Sequence, residues 1–110
     1  MFKKENRLAA EVKFNNSRSF STFQFILKIK KNGFLLNRFG IIVSKKISKK
    51  AVERNKIKRI LRDALVALNK NMTQGYDMLF IARPGIFNET KEKIRQSAEE
   101  SLVKAGIVNM

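Results

Sequence analysis

Nine lysines and arginines fall in the nineteen residues from Ser44 to Arg62, at positions 45, 46, 49, 50, 54, 56, 58, 59 and 62, against one glutamate. Charge this dense and this one-signed cannot be buried. A segment carrying it joins a folded core only if its interleaved apolar residues share a separate face. A helix from about Lys50 to Lys70 meets that condition. At about 100° per residue, with Arg54 at zero, Ile57, Ile60, Leu61, Ala64, Leu65 and Leu68 fall in an arc from roughly 240° round to 20°. Arg54, Asn55, Lys56, Lys58, Arg59 and Arg62 fall between about 0° and 200°. One stripe is core, and the opposite face must meet water or a polyanion.

The flanking segments have a different period. Arg38 to Ser44 contains Phe39-Gly40-Ile41-Ile42-Val43, too short for a helix and apolar enough for a central strand, and Tyr76 to Arg83 reads the same way. Thr22 to Lys30 alternates, with Phe23, Phe25, Leu27 and Ile29 on one face and Gln24, Ile26, Lys28 and Lys30 on the other, and Asn32-Gly33 supplies a turn. Leu8 and Val12 at i, i+4 suggest a short helix from Lys4 to Phe14, ended by the polar Asn15 to Ser19. After Pro84-Gly85 a last helix is expected to start near Asn88, a good cap residue. The order is helix, two or three strands, helix, strand, helix, which is an α+β domain.

The whole chain carries 24 Lys+Arg against 9 Asp+Glu in 110 residues, a formal charge of +15. Residues 88–110 hold four basic and four acidic side chains, so the entire excess lies in residues 1–87 and the C-terminal end reads as a neutral brace. Such a balance calls for a polyanionic partner. The chain contains no histidine and no cysteine, which removes the commonest proton shuttle, thiolate nucleophiles and zinc sites of the usual kind. Its carboxylates are scattered singly (Glu11, Glu53, Asp63, Asp77) or lie in the C-terminal helix, where Lys93 and Lys104 are expected to pair with them, and Asp63 reads as a charge partner of Arg62. A two-metal nuclease site is therefore not expected. No run approaches the roughly 20 apolar residues of a membrane span and no secretory signal is expected, so the reading is a cytoplasmic protein without a membrane partner.

The basic face of the helix has two readings. A solvated surface normally mixes signs, because like charges at i, i+4 repel, and positions 54, 58 and 62 are all basic. Phosphate binding uses the same residues productively: Arg offers a planar fork, Lys a point charge, and Asn55 both donates and accepts. Lys45, Lys46, Lys49 and Lys50 widen the patch where the preceding strand turns into the helix.

Ser44-Lys45-Lys46-Ile47 followed by Ala51-Val52-Glu53-Arg54-Asn55-Lys56-Ile57-Lys58-Arg59-Ile60-Leu61-Arg62 closely resembles the signature of the bacterial ribonuclease P protein subunit, Arg-Asn-Arg-x-Lys-Arg-x-x-Arg. Lys4 to Leu8, Phe14, Gln24 to Leu27, Tyr76-Asp77 and Ile81 to Arg83 match in the same order, so the resemblance covers nearly the whole chain as one domain, residues 1–110. It implies an αβββαβα order, a four-stranded sheet packed with helices, and a left-handed crossover through the basic helix. It also implies a cofactor protein. Such a protein binds the catalytic ribonuclease P RNA and the 5′ leader of precursor tRNA, and assists Mg²⁺-dependent endonucleolytic removal of the leader. The catalytic centre and most of the Mg²⁺ would then belong to the RNA, and a protein homo-oligomer is not required. The residues implied for the catalytic RNA are Lys45, Lys46, Arg54, Asn55, Lys56, Lys58, Arg59 and Arg62; those for the leader are Phe14, Phe20 and Lys28. Two departures stand out. Lys56 replaces an Arg of the triplet, keeping charge but losing the fork, and the segment after Phe14 lacks a glycine and the usual second aromatic, for which Phe20 stands in. The rival readings are a small ribosomal or other structured-RNA-binding protein, a basic DNA-binding module, and, further off, a protein ribonuclease.

Overall fold

The computed structural model describes residues 6–8 and 13–108. Four strands, β1 (Arg18–Ser21), β2 (Phe25–Lys31), β3 (Arg38–Ile42) and β4 (Tyr76–Ala82), form one mixed sheet, accompanied by helices α1 (Ala51–Leu68) and α2 (Lys91–Lys104). The sheet order is β1-β2-β4-β3. β2 pairs antiparallel with β1 and with β4, while β3 lies parallel to β4 across a connection that contains α1. The turn expected at Asn32-Gly33 therefore does not close a hairpin, because β4 inserts between the two strands it joins.

Alternation decides which residues meet the helices. Phe25, Leu27 and Ile29 of β2, Phe39 of β3, and Met78, Phe80 and Ala82 of β4 are buried on one face together with Ile57, Leu61, Ala64 and Leu65 of α1 and Ile94, Ala98 and Leu102 of α2. Phe25 and Phe80 meet edge to face, with centroids 5.1 Å apart. The apolar stripe derived for α1 is the one buried, with Ile60 and Leu68 packed at its margins. Both helices lie on this face, giving two layers around one core.

Several expectations need correction. Phe23, assigned to the core face of β2, is 73% exposed. The Thr22 hydroxyl accepts hydrogen bonds from the amides of Gln24 and Phe25, a local turn that postpones the strand to Phe25. The polar stretch read as a break contains the start of β1, an edge strand with a single apolar residue, Phe20. α2 begins later than Asn88: that residue takes a left-handed conformation (φ 61°), and Thr90 caps the helix by accepting from the Lys93 amide. The helix expected over Lys4–Phe14 falls mostly outside the described residues. Of those described, Arg7 bridges to Phe39 in parallel fashion and Lys13 and Phe14 are not helical.

Candidate nucleic-acid interface

The second face of the sheet carries no helix among the described residues, and register fixes its composition row by row. Ser21, Ile26, Ile81 and Ile42 form one row; Ser19, Lys28, Leu79 and Gly40 the next; Lys30, Asp77 and Arg38 the third. Leu8 lies on this face beside β3. The Leu8 amide donates to the Phe39 carbonyl at 2.9 Å, and Leu8 presses so closely on Gly40 that a β-carbon there would stand 3.0 Å from Leu8 Cδ2 and 3.1 Å from Leu79 Cδ1. Gly40 thus admits the Leu8 side chain onto the sheet.

α1 runs alongside, and its polar arc divides in two. Lys58 and Arg62, half-buried, line a cleft of about 360 Å³ together with Arg7, Leu8, Phe39, Gly40 and Ile41, so three cations from two distant segments converge at the β3 edge. Asn55, Lys56 and Arg59 are exposed further round the helix, and Lys45 and Lys46 are exposed in the turn that follows β3. Arg54 is partly spent on structure: its guanidinium donates to the Ser48 carbonyl at 2.9 Å, while the Ser48 hydroxyl bonds Glu53 at 2.6 Å, and together these fasten the loop entering the helix. Among the described residues, none of these cations forms an ion pair with a carboxylate. Asp63, expected to partner Arg62, is exposed and makes no such pair, and in α2 the pair formed is Arg95 with Glu92 at 3.7 Å, not one through Lys93 or Lys104.

The aromatic candidates separate. Phe14 is half-buried beside the third row, with the Lys30 ammonium 5.4 Å from its ring centroid; Lys30 also donates to the Lys13 carbonyl. Lys28 lies in the adjacent row. Phe20 pairs with Leu27 and points to the helix-covered face, where it packs against the core under the Arg18 guanidinium, so it is not brought together with Phe14 and Lys28.

Two polar groups that pattern reading passed over organise this end of the sheet. Asp77, 1% exposed, receives both a 2.7 Å bond from Arg38 Nε and a 2.7 Å bond from Arg38 Nη2, with a third from Asn32 Nδ2 at 3.0 Å. The hydrogen bond to Asp77 raises the Arg38 pKa above its usual value, a change assisted by the charge of Asp77 and opposed by desolvation. The Arg38 guanidinium is thereby held in its charged form against Asp77. Asn37 is fully buried: its carbonyl oxygen accepts from the Tyr76 amide, its amide group donates to Thr73 and Asn69, and its backbone carbonyl accepts from Asn6 Nδ2 at 2.6 Å. A lone aspartate inside an apolar strand of an acid-poor chain was the available signal for the first. Asn37 offered none, since an asparagine ahead of a strand reads as a turn residue.

Residues 2–106 match the family model described as Ribonuclease P. The chain belongs to the ribonuclease P protein family. The ribonuclease P protein component of Clostridium botulinum (strain 657 / Type Ba4) is 36% identical over 111 residues, covering 96% of this chain and 99% of that relative. The solved ribonuclease P protein of Staphylococcus aureus superposes with a TM-score of 0.79 at 30% identity, over 99% of this chain and 96% of that one. That of Thermotoga maritima gives 0.75 at 26% identity, over 90% and 93%. As a family member the protein is a subunit of ribonuclease P, associates with the ribonuclease P RNA and serves tRNA processing. Among the described residues of this ribonuclease P protein no helix is long and apolar enough to cross a membrane. Nor do they gather three or more carboxylates into a group able to hold a metal ion; Asp77, the buried one, is saturated by Arg38 and Asn32, so this donor set does not fit a Mg²⁺ site.

Proposed function

We propose that this subunit, working in the cytoplasm, serves ribonuclease P through two neighbouring surfaces with different tasks. The basic arc of α1, with Lys45, Lys46, Arg54, Asn55, Lys56, Lys58, Arg59 and Arg62, grips the phosphates of the catalytic RNA. The second face of the sheet, with Phe14 and Lys28, takes the single-stranded 5′ leader of precursor tRNA, stacking being tolerant of sequence. Phosphodiester hydrolysis and the Mg²⁺ it uses belong to the RNA, and the protein supplies affinity and position. The observation that carries this reading is the set of cations on α1 and its preceding turn, which no carboxylate neutralises among the described residues. Phe20 is left out of the leader surface because its ring packs on the opposite face.

The test is reconstitution with the cognate RNA. Protein alone leaves precursor tRNA intact, and protein added to the RNA at low Mg²⁺ raises cleavage. Arg59→Ala or Arg62→Ala weakens assembly and lowers the slope of log affinity against log salt by about one per lost phosphate contact. Phe14→Leu leaves assembly unchanged and lowers the preference for precursor over mature tRNA by about 1–3 kcal/mol. Cleavage by rigorously RNA-free protein would refute the division of labour.

A further inference from the structure

The loop between β2 and β3 exposes Phe34 (60%), Leu35 (91%) and Leu36 (42%) in succession, beyond anything the core requires. An aromatic side chain left in water is commonly mobile, but this one is held at both ends. The Phe34 amide donates to Asn32 Oδ1 at 2.7 Å, and Asn32 Nδ2 donates to the Leu36 carbonyl and to Asp77, both at 3.0 Å. The Arg38 guanidinium lies 4.7 Å from the Phe34 ring centroid and is itself clamped by Asp77. One face of the ring is thereby occupied and oriented, while the residue as a whole stays exposed.

Register connects this ring to the leader surface. Lys30, Asp77 and Arg38 share one row on the second face of the sheet, with the Phe14 ring on Lys30 at one end and the Phe34 ring on Arg38 at the other. The backbone positions of Lys30 and Arg38 are two strand spacings apart, about 10 Å. The only carboxylate in the row is buried and neutralised, and Lys28, Lys30 and Arg38 share its face, so the electrostatic surface suits a phosphate chain and repels a basic one.

We propose that Phe34 is a second stacking platform for the precursor tRNA leader, with a leader base lying on the ring face opposite Arg38. The proposal rests on the leader reading of the sheet face and extends it to a residue beyond that set. Arg38 acts as a positioning residue: it fixes the ring and, through Asp77, ties the platform to β4.

The experiment compares reconstituted holoenzymes carrying Phe34→Ala, Phe34→Trp and Phe14→Leu for binding of precursor tRNA and of mature tRNA. Phe34→Ala is expected to lower precursor affinity about 5- to 150-fold, the range for one lost stacked base, with mature tRNA affinity unchanged. Phe34→Trp should restore it. Because the chain has no tryptophan, the same variant also provides a single tryptophan emitter, quenched when a leader-bearing RNA binds and not when mature tRNA binds. Equal discrimination by parent and Phe34→Ala holoenzymes, with Phe14→Leu impaired, overturns the Phe34 platform alone. Unimpaired discrimination by both variants overturns the leader reading beneath it. Loss of affinity for the catalytic RNA without substrate would assign Phe34 to assembly and equally overturn the proposal.

Discussion

Arg38→Ala and Asp77→Ala break the same ion pair from its two sides, and the structure predicts unequal costs. With Arg38 gone, the Asp77 carboxylate, 1% exposed in the structure, keeps the Asn32 hydrogen bond but loses its compensating charge. Such a truncation costs about 3–5 kcal/mol. With Asp77 gone, Arg38, whose side chain is 22% exposed, turns its guanidinium toward water, and screening holds the loss to about 1–2 kcal/mol. At roughly 4 °C per kcal/mol for a domain of this size, melting temperature should fall by about 12–20 °C in the first case and 4–8 °C in the second. Urea unfolding followed by circular dichroism is the assay of choice, because guanidinium chloride would also screen the self-repulsion of a +15 chain. Replacing both residues by apolar ones, Arg38→Met with Asp77→Leu, should recover most of the Arg38→Ala loss. If Asp77→Ala proves as damaging as Arg38→Ala at equal m-value, the reasoning from burial fails.

Three further outcomes are expected. Asn37→Ala removes the partner of the Tyr76 amide and of the Thr73 carbonyl while sparing the backbone bond to Asn6, so it should cost about 2–4 kcal/mol in the same assay; a loss below about 0.5 kcal/mol would show that water replaces those bonds. Gly85→Ala places a β-carbon 2.3 Å from the Phe23 backbone oxygen, and the displacement should cost about 1–3 kcal/mol, visible as a lowered urea midpoint. Phosphate or sulfate at about ten times its dissociation constant should stabilise the free protein by about 1.4 kcal/mol at matched ionic strength, and a flat melting temperature would contradict a preformed anion surface on α1.

The parts of this molecule legible from residue order are those governed by local periodicity. The face that α1 buries follows from the spacing of Ile57, Leu61, Ala64 and Leu65, and the strands of the core follow from apolar runs bounded by charge and turns. What escaped depends on contacts between distant segments. β1 is visible only through its pairing with β2, since Phe20 alone carries no alternation. Residue order does not fix the start of α2, because Asn88 and Thr90 are both competent caps, and the chain bends at the first before the helix begins at the second. The cluster of Arg7 with Lys58 and Arg62 requires Arg7 to bridge to Phe39 of β3, a contact that no window of a dozen residues contains. Phe34 could have been noticed as an aromatic in a turn, but its orientation by Arg38 and Asp77 is a tertiary fact.

The strand order also sets a schedule for folding. β4 is the last strand synthesised and the one placed between β2 and β3, so β3 cannot join the rest of the sheet until the chain has passed through α1 and returned. Long-range closure of this kind is slow compared with local helix formation. Until it happens α1 has no sheet to bury its apolar stripe against, and the basic residues at 54, 58 and 62 repel one another at helical spacing. A polyanion that relieves that repulsion favours the helix and so the closure of the sheet.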